Sequence, residues 1–192
     1  MNGISLDLPI LVVLAFLVLA IFALLTWTTN QKRQSAMLRE RFGPEYNRTL
    51  QEVGDRKKAE AELVARAKRV EAFHIHPLST EQRDQFLNEW RSTQAHFVDD
   101  PAAAVRDADR LVGQVMEKRG YPMGSYEQRA ADVSVDHADV VENYRAAHKL
   151  AQQNERGQAS TEDLRQAMVY YRRLFNDLLD TGETEPVVEE KS

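Results

Sequence analysis

The stretch EAFHIHPLS, residues 71–79, decides how this chain is divided. His74 and His76 flank Ile75, and Glu71 precedes His74 by one helical turn. Pro77 cannot continue a helix and pushes His76 toward an extended conformation. Ser79, with Gln82 three residues later, reads as a capping box that starts a new helix. The metal reading of the same residues fails on partners. Glu71-x-x-His74 has the spacing of a carboxylate-bridged di-iron ligand pair, which needs a second Glu-x-x-His and two further glutamates. The chain contains no second Glu-x-x-His, and His96, His137 and His148 are scattered. The stretch is therefore a connector between helices, and no metal ligand is expected there.

Upstream of the connector the pattern is that of a charged rod. Residues 56–73 place Leu63, Ala67, Val70 and Phe73 on one narrow stripe, with charged residues elsewhere. The spacing predicts i, i+4 pairs Glu52–Arg56 and Glu62–Arg66, each contributing a few tenths of a kcal/mol. Tyr46, Leu50 and Val53 mark a shorter helix after Gly43-Pro44, and Gly54 interrupts it. A narrow stripe on a charged helix suggests a stalk over residues 31–76, or one strand of a weak coiled coil.

Further upstream, every residue from Ile10 to Leu25 is apolar, and no charge lies between Asp7 and Lys32. A helix over Leu8–Trp27 is 20 residues long, and such a helix spans roughly 30 Å, the thickness of a bilayer's hydrocarbon core. A cleaved signal peptide would need a basic segment before the apolar run and a small-x-small site after it, and neither is present. The expectation is a transmembrane anchor over residues 1–30, with Trp27 at the interface. Lys32, Arg33, Arg39 and Arg41 follow the span against Glu40 alone, so the positive-inside rule puts the C-terminal bulk in the cytoplasm.

Downstream, residues 77–181 carry four long amphipathic patterns. One face of the first holds Phe86, Leu87, Trp90 and Phe97. The second opens at Asp100-Pro101, carries Ala104, Val105, Ala108, Leu111, Val112, Val115 and Met116, and ends at Gly120. A short segment starts at Ser125, where Gln128 would complete a capping box. The third covers roughly 137–155, and the fourth runs from Ser160 or Thr161 through Leu164, Ala167, Met168, Tyr171, Leu174, Phe175 and Leu178. Gly182 stops it, and the acidic segment 182–192 reads as disordered. The fold class is all-α: one transmembrane helix, a charged helical stalk and an up-and-down bundle of about four helices.

At 100° per residue, His137, Val140, Val141, Tyr144, Ala147 and His148 share one face of the third long helix. A polar pocket inside the bundle would draw on these, with Arg129 and Asp132 from the preceding short segment. The alternative is histidines satisfied by their neighbours. His137 and His148 lie about 16 Å apart along a helix and cannot share one metal ion. The acids Asp132, Asp136, Asp139 and Glu142 suit a helix start as caps and dipole partners.

Other chemistries leave no trace. The absence of cysteine excludes disulfides, thiolate sites and cysteine nucleophiles. No glycine-rich phosphate loop, GxSxG or HExxH occurs. Residues 30–73 carry a net +4 and residues 74–192 a net −8, so the distal part would be repelled by nucleic-acid phosphates. No catalytic, cofactor or metal residue is assigned. The expected role is a non-catalytic, membrane-tethered module that binds a protein partner or a second copy of itself. A ligand-binding or enzymatic bundle around His137, Tyr144 and His148 is the alternative.

The segments RERFGPEYNRTL, GDRKKAEAEL, WRSTQAHFVDDPAAAVRDADRLVGQVMEKRGYP, RAADVSVDHADVVENYRAAH and STEDLRQAMVYYRRLF resemble a family of uncharacterised bacterial proteins. Its members occur in actinobacteria and acidobacteria and are described only as hypothetical, secreted or membrane proteins. The resemblance covers about residues 38–180. It implies a bacterial origin and a cytoplasmic-membrane address, and it implies no activity, cofactor or catalytic residue.

Overall fold

The computed structural model describes residues 8–179, with side chains from Phe16 onward except those of Ala20, Ala23 and Trp27. Among the described residues the chain forms eight helices and no strand. They are α1 (Leu8–Phe42), α2 (Pro44–Val53), α3 (Arg56–Glu71), α4 (Thr80–His96), α5 (Pro101–Arg119), α6 (Tyr126–Asp136), α7 (Val141–Glu155) and α8 (Thr161–Leu178).

Local chemistry sets most helix ends. Ser79 and Gln82 form the expected capping box, with both reciprocal bonds present. Asp100 accepts from the Ala103 amide at 2.8 Å, ahead of Pro101 in the first turn. Ser160 and Asp163 form a second capping box. The Ser125 box is only half made. Its hydroxyl accepts from the Gln128 amide at 3.3 Å, but the Gln128 side chain turns to Asp132. A buried carboxylate is a stronger acceptor than an exposed backbone group has need of a partner. Gly120 ends α5 at φ 97°, and a Cβ there would lie 2.4 Å from the His74 carbonyl oxygen. The connector backbone is thus laid directly on the end of α5, where His76 N donates to Arg119 O at 2.9 Å.

The bundle forms as expected. The apolar sets of α5 and α8 are buried throughout, α8 packs against both α5 and α7, and α4 packs against α5. Trp90 of α4 stacks on Phe175 of α8 at 4.8 Å between ring centroids. One helix boundary differs from expectation. His137 does not open α7 but caps the C-terminus of α6, its amide bonded to Val133 O at 2.9 Å. Residues 137–140 form a turn, which moves His137 off the face that carries Tyr144 and His148.

The stalk expectation needs correction. Residues 31–76 do not form a free rod. The stripe Leu63, Ala67 and Val70 of α3 closes a second apolar cluster with Leu38 and Phe42 of α1, Tyr46 of α2 and Val135 of α6. An isolated narrow stripe is marginal, but the turn at Gly43 folds α2 back so that three helices share it. The pair Glu52–Arg56 does not form, because α2 ends between them. Arg48–Glu52 at 2.6 Å and Arg56–Glu60 at 2.9 Å take its place, and Glu62–Arg66 forms as expected.

Among the described residues no helix is long and apolar enough to cross a membrane. The side chains of residues 8–15 and of Trp27, on which much of the anchor expectation falls, lie outside the described residues. So do residues 1–7, Gly182 and the acidic segment 182–192. Where α1 is described in full, Phe16, Leu17, Val18, Leu19, Ile21, Phe22, Leu24 and Leu25 are each between 49% and 69% exposed. The same helix ends in the protein core at Leu38 and Phe42.

Candidate functional site

The five candidate pocket residues divide into three places. Tyr144 is fully buried in α7, and its hydroxyl oxygen accepts from Arg129 Nε at 3.3 Å. His148, one turn on, stacks on the Tyr126 ring at 3.6 Å. Asp132 faces the other way, toward α3. It is buried, and its Oδ1 accepts from Arg69 Nε and Gln128 Nε2, both at 2.9 Å. His137 stands apart from both groups, its Nδ1 against Asp177 of α8 and its ring 6.4 Å from Tyr121. Arg129, Tyr144 and His148 therefore come together, while Asp132 and His137 do not join them.

A residue without an assigned role completes the group. Asp109 of α5 accepts from the Tyr171 hydroxyl at 2.8 Å, and His148 Nδ1 lies 3.8 Å from the same oxygen. That distance is a charge contact rather than a hydrogen bond. The Gln152 amide nitrogen lies 3.1 Å from His148 Nε2 on the other side of the ring. Burial pushes the Asp109 carboxyl up, but the contact with His148, the Tyr171 hydroxyl and the Arg129 charge outweigh it and hold it below the usual carboxylate range. Burial raises the Tyr144 and Tyr171 phenols, and it pushes Tyr126 up to about 12. A signal for Asp109 was in the sequence. It occupies the position between Ala108 and Val112 at i, i+4, i+7 from Val105, where the α5 stripe calls for an apolar side chain.

His148 and Tyr126 face a groove of about 460 Å³ that also includes Arg48, Arg66, Arg145 and Lys149. Behind it lies a fully buried carboxylate. Glu45 of α2 takes Arg145 Nη1 on Oε2 at 2.6 Å, and on Oε1 it takes Arg145 Nη2 and Arg66 Nη1, both at 2.8 Å. Helices α2, α3 and α7 are clamped together by this one side chain. Nothing in the local sequence around Glu45 distinguishes it from the acids of a solvated helix.

The four cations that follow the apolar segment also separate. The Arg39 guanidinium lies 5.1 Å from the Tyr46 ring centroid, and Arg41 pairs with Glu71 at 3.1 Å. Lys32 and Arg33 are exposed on α1.

No family model, curated protein or solved structure matches the chain.

As chemistry, the Asp109–His148 contact places an imidazole beside a groove. The hydroxyls near it, on Tyr144 and Tyr171, are held neutral by burial and are already bonded to Arg129 and Asp109. Among the described residues no group of three or more His, Cys, Asp or Glu side chains is placed to hold a metal ion.

Proposed function

We propose that this chain is a membrane-anchored, non-catalytic helical module that presents its bundle to a protein partner or to a second copy of itself. The observation that carries the reading is α1. One continuous helix is apolar and exposed on every side over residues 16–25, yet is part of the core at Leu38 and Phe42. A helix that is hydrophobic all round needs an apolar environment, and the apolar sequence extends back to Ile10. With Lys32 and Arg33 beyond it, the folded part lies on the cytoplasmic side. The resemblance to bacterial proteins described as hypothetical, secreted or membrane proteins fits the same address. The interaction role is supported by the bundle's internal polar bonds, such as Arg129 to Tyr144 and Tyr171 to Asp109.

A reporter fused after Ser192 tests the orientation. It should be active as a cytoplasmic enzyme and silent as a periplasmic one, and alkaline carbonate should leave the chain in the membrane. The reverse pattern, or extraction by carbonate, overturns the reading.

The second reading is a small-ligand site in the groove beside His148. It is favoured by His148, which lines the groove with its Nδ1 3.8 Å from Asp109. A ligand bound there would shift the ring resonances of His148 and leave those of His96 unmoved.

A further inference from the structure

We propose that the folded part seats on an anionic lipid surface through a basic patch assembled from two separate stretches of chain: Lys32 and Arg33 on α1, and Lys57 and Lys58 at the start of α3, beside the paired Arg56. The inference rests on the membrane-anchor reading and specifies which face meets the headgroups. The residues of the two stretches are more than twenty positions apart, and the turn back through α2 brings the start of α3 beside α1 at Ser35. Arg56 Nη2 donates to Ser35 Oγ at 2.5 Å, which holds the first turn of α3 at the level of Ser35. Tyr46 Oη donates to Glu60 at 2.7 Å and ties the next turn of α3 to α2.

The level is the right one for headgroups. From Trp27 to Ser35 is about 12 Å of helix, within reach of the interfacial layer and a Debye length of about 8 Å. All four side chains are exposed. Glu60 is paired with Arg56 and Tyr46, and Asp55 caps the Lys58 amide, so four cations face one unpaired carboxylate at this end of α3. Arg39 and Arg41, which the sequence groups with Lys32 and Arg33, are drawn off to Tyr46 and Glu71. The patch is thus a different set from the run of cations that follows the apolar segment. Its partner is a negative surface in direct continuity with an apolar helix, and an anionic bilayer leaflet has that arrangement of chemistry.

The test uses the full chain, whose lack of cysteine allows one label at Gln51→Cys, beside the α2–α3 turn. The labelled protein is reconstituted into vesicles of phosphatidylcholine alone or mixed with phosphatidylglycerol, each containing a headgroup-attached quencher. Quenching should be stronger with phosphatidylglycerol. The double variant Lys57→Gln/Lys58→Gln should lose that gain, with the seated population falling about fivefold or more for each charge removed. This pair spares Arg56 and its contacts, and circular dichroism verifies that the variant is folded. The double variant Arg106→Gln/Lys118→Gln, on the distant α5, should keep the gain. Equal quenching in both lipids, or equal losses in both double variants, overturns the seating while leaving the anchor intact. If carbonate extracts the wild-type chain from neutral vesicles, the anchor reading fails and the seating falls with it.

Discussion

Glu45 and Arg145 are one hundred positions apart, and they meet as a two-pronged ion pair at 2.6 and 2.8 Å, with side chains only 1% and 14% exposed. This contact fastens α2 to α7 of the bundle. Breaking one partner of a buried pair strands the other charge and costs about 3–5 kcal/mol. Arg145→Met should fall near the lower end of that range, because Arg66 still meets Glu45. Glu45→Gln should cost more, since it leaves two guanidiniums without their shared carboxylate. Denaturant melts of the two variants give the ranking, and equal, near-zero losses would show that the clamp contributes nothing.

The second apolar cluster makes the boundary at Pro77 a poor place to cut the chain. A fragment of residues 79–181 exposes Val135 and strands the buried Asp132 without Arg69. A fragment of residues 31–181 keeps both. Thermal unfolding followed by circular dichroism should be cooperative for the longer fragment, with a clearly higher midpoint than for the shorter one. Identical midpoints would mean that α2 and α3 add no stability to the bundle.

At the connector, backbone rather than imidazole does the packing. His74 and His76 side chains are exposed, so His74→Ala with His76→Ala should change stability by less than about 1 kcal/mol. Trp90→Ala removes a buried ring stacked on Phe175 and should cost about 3–5 kcal/mol. Gly120→Ala combines a left-handed backbone with a Cβ lying 2.4 Å from the His74 carbonyl oxygen. It should cost more than the roughly 1–2 kcal/mol of the conformation alone. Comparing the three melts separates the two roles. A histidine pair as costly as Trp90 would make the connector a site after all.

Acid should weaken the fold partly through Asp109. Its carboxyl titrates lower in the folded chain than in the unfolded one. The unfolded state therefore takes up the proton first, and the contribution is complete above the ordinary carboxylate range and is lost as pH falls through it. Asp109→Asn removes this term. The midpoint difference between wild type and variant should be widest near neutrality and should narrow on acidification below about pH 4. A difference that stays constant with pH would assign the loss to packing.

Alkali should act with the opposite sign. Tyr126 is pushed up to about 12, and Tyr121, Tyr144 and Tyr171 are raised as well, each chiefly by burial. Ionisation then favours the unfolded chain, so stability is intact below about pH 10 and falls above it. Tyrosinate absorbance and helical ellipticity should change together in one cooperative step. Smooth ionisation of every tyrosine in a chain that stays folded would contradict their burial.

The helices themselves were legible because their signals act within four residues. Ser79 with Gln82, Asp100 with Pro101, and Gly120 each satisfy or terminate backbone groups next to them, and the stripes of α5 and α8 follow from the helical period alone. Where such a signal met a competing long-range partner it failed: the Gln128 side chain left Ser125 for buried Asp132. The start of α7 was misplaced for a related reason. His137 continues the helical pattern, but its amide closes α6, and its ring packs against Asp177 across 40 positions.

The sequence by itself determined an all-helical chain with an apolar N-terminal segment, and it located the breaks between most helices. Hydrogen-bond capping, proline geometry and side-chain periodicity are local, and they leave their mark in neighbouring residues. Tertiary structure alone decided which charges are buried and with whom. Glu45–Arg145, Arg69–Asp132 and Tyr171–Asp109 join residues 100, 63 and 62 positions apart. A carboxylate on a solvated helix and one at the centre of a clamp have similar neighbours in sequence. They differ only in which distant cations the folded chain brings within 3 Å, and that same folding-back turned an expected stalk into part of the core.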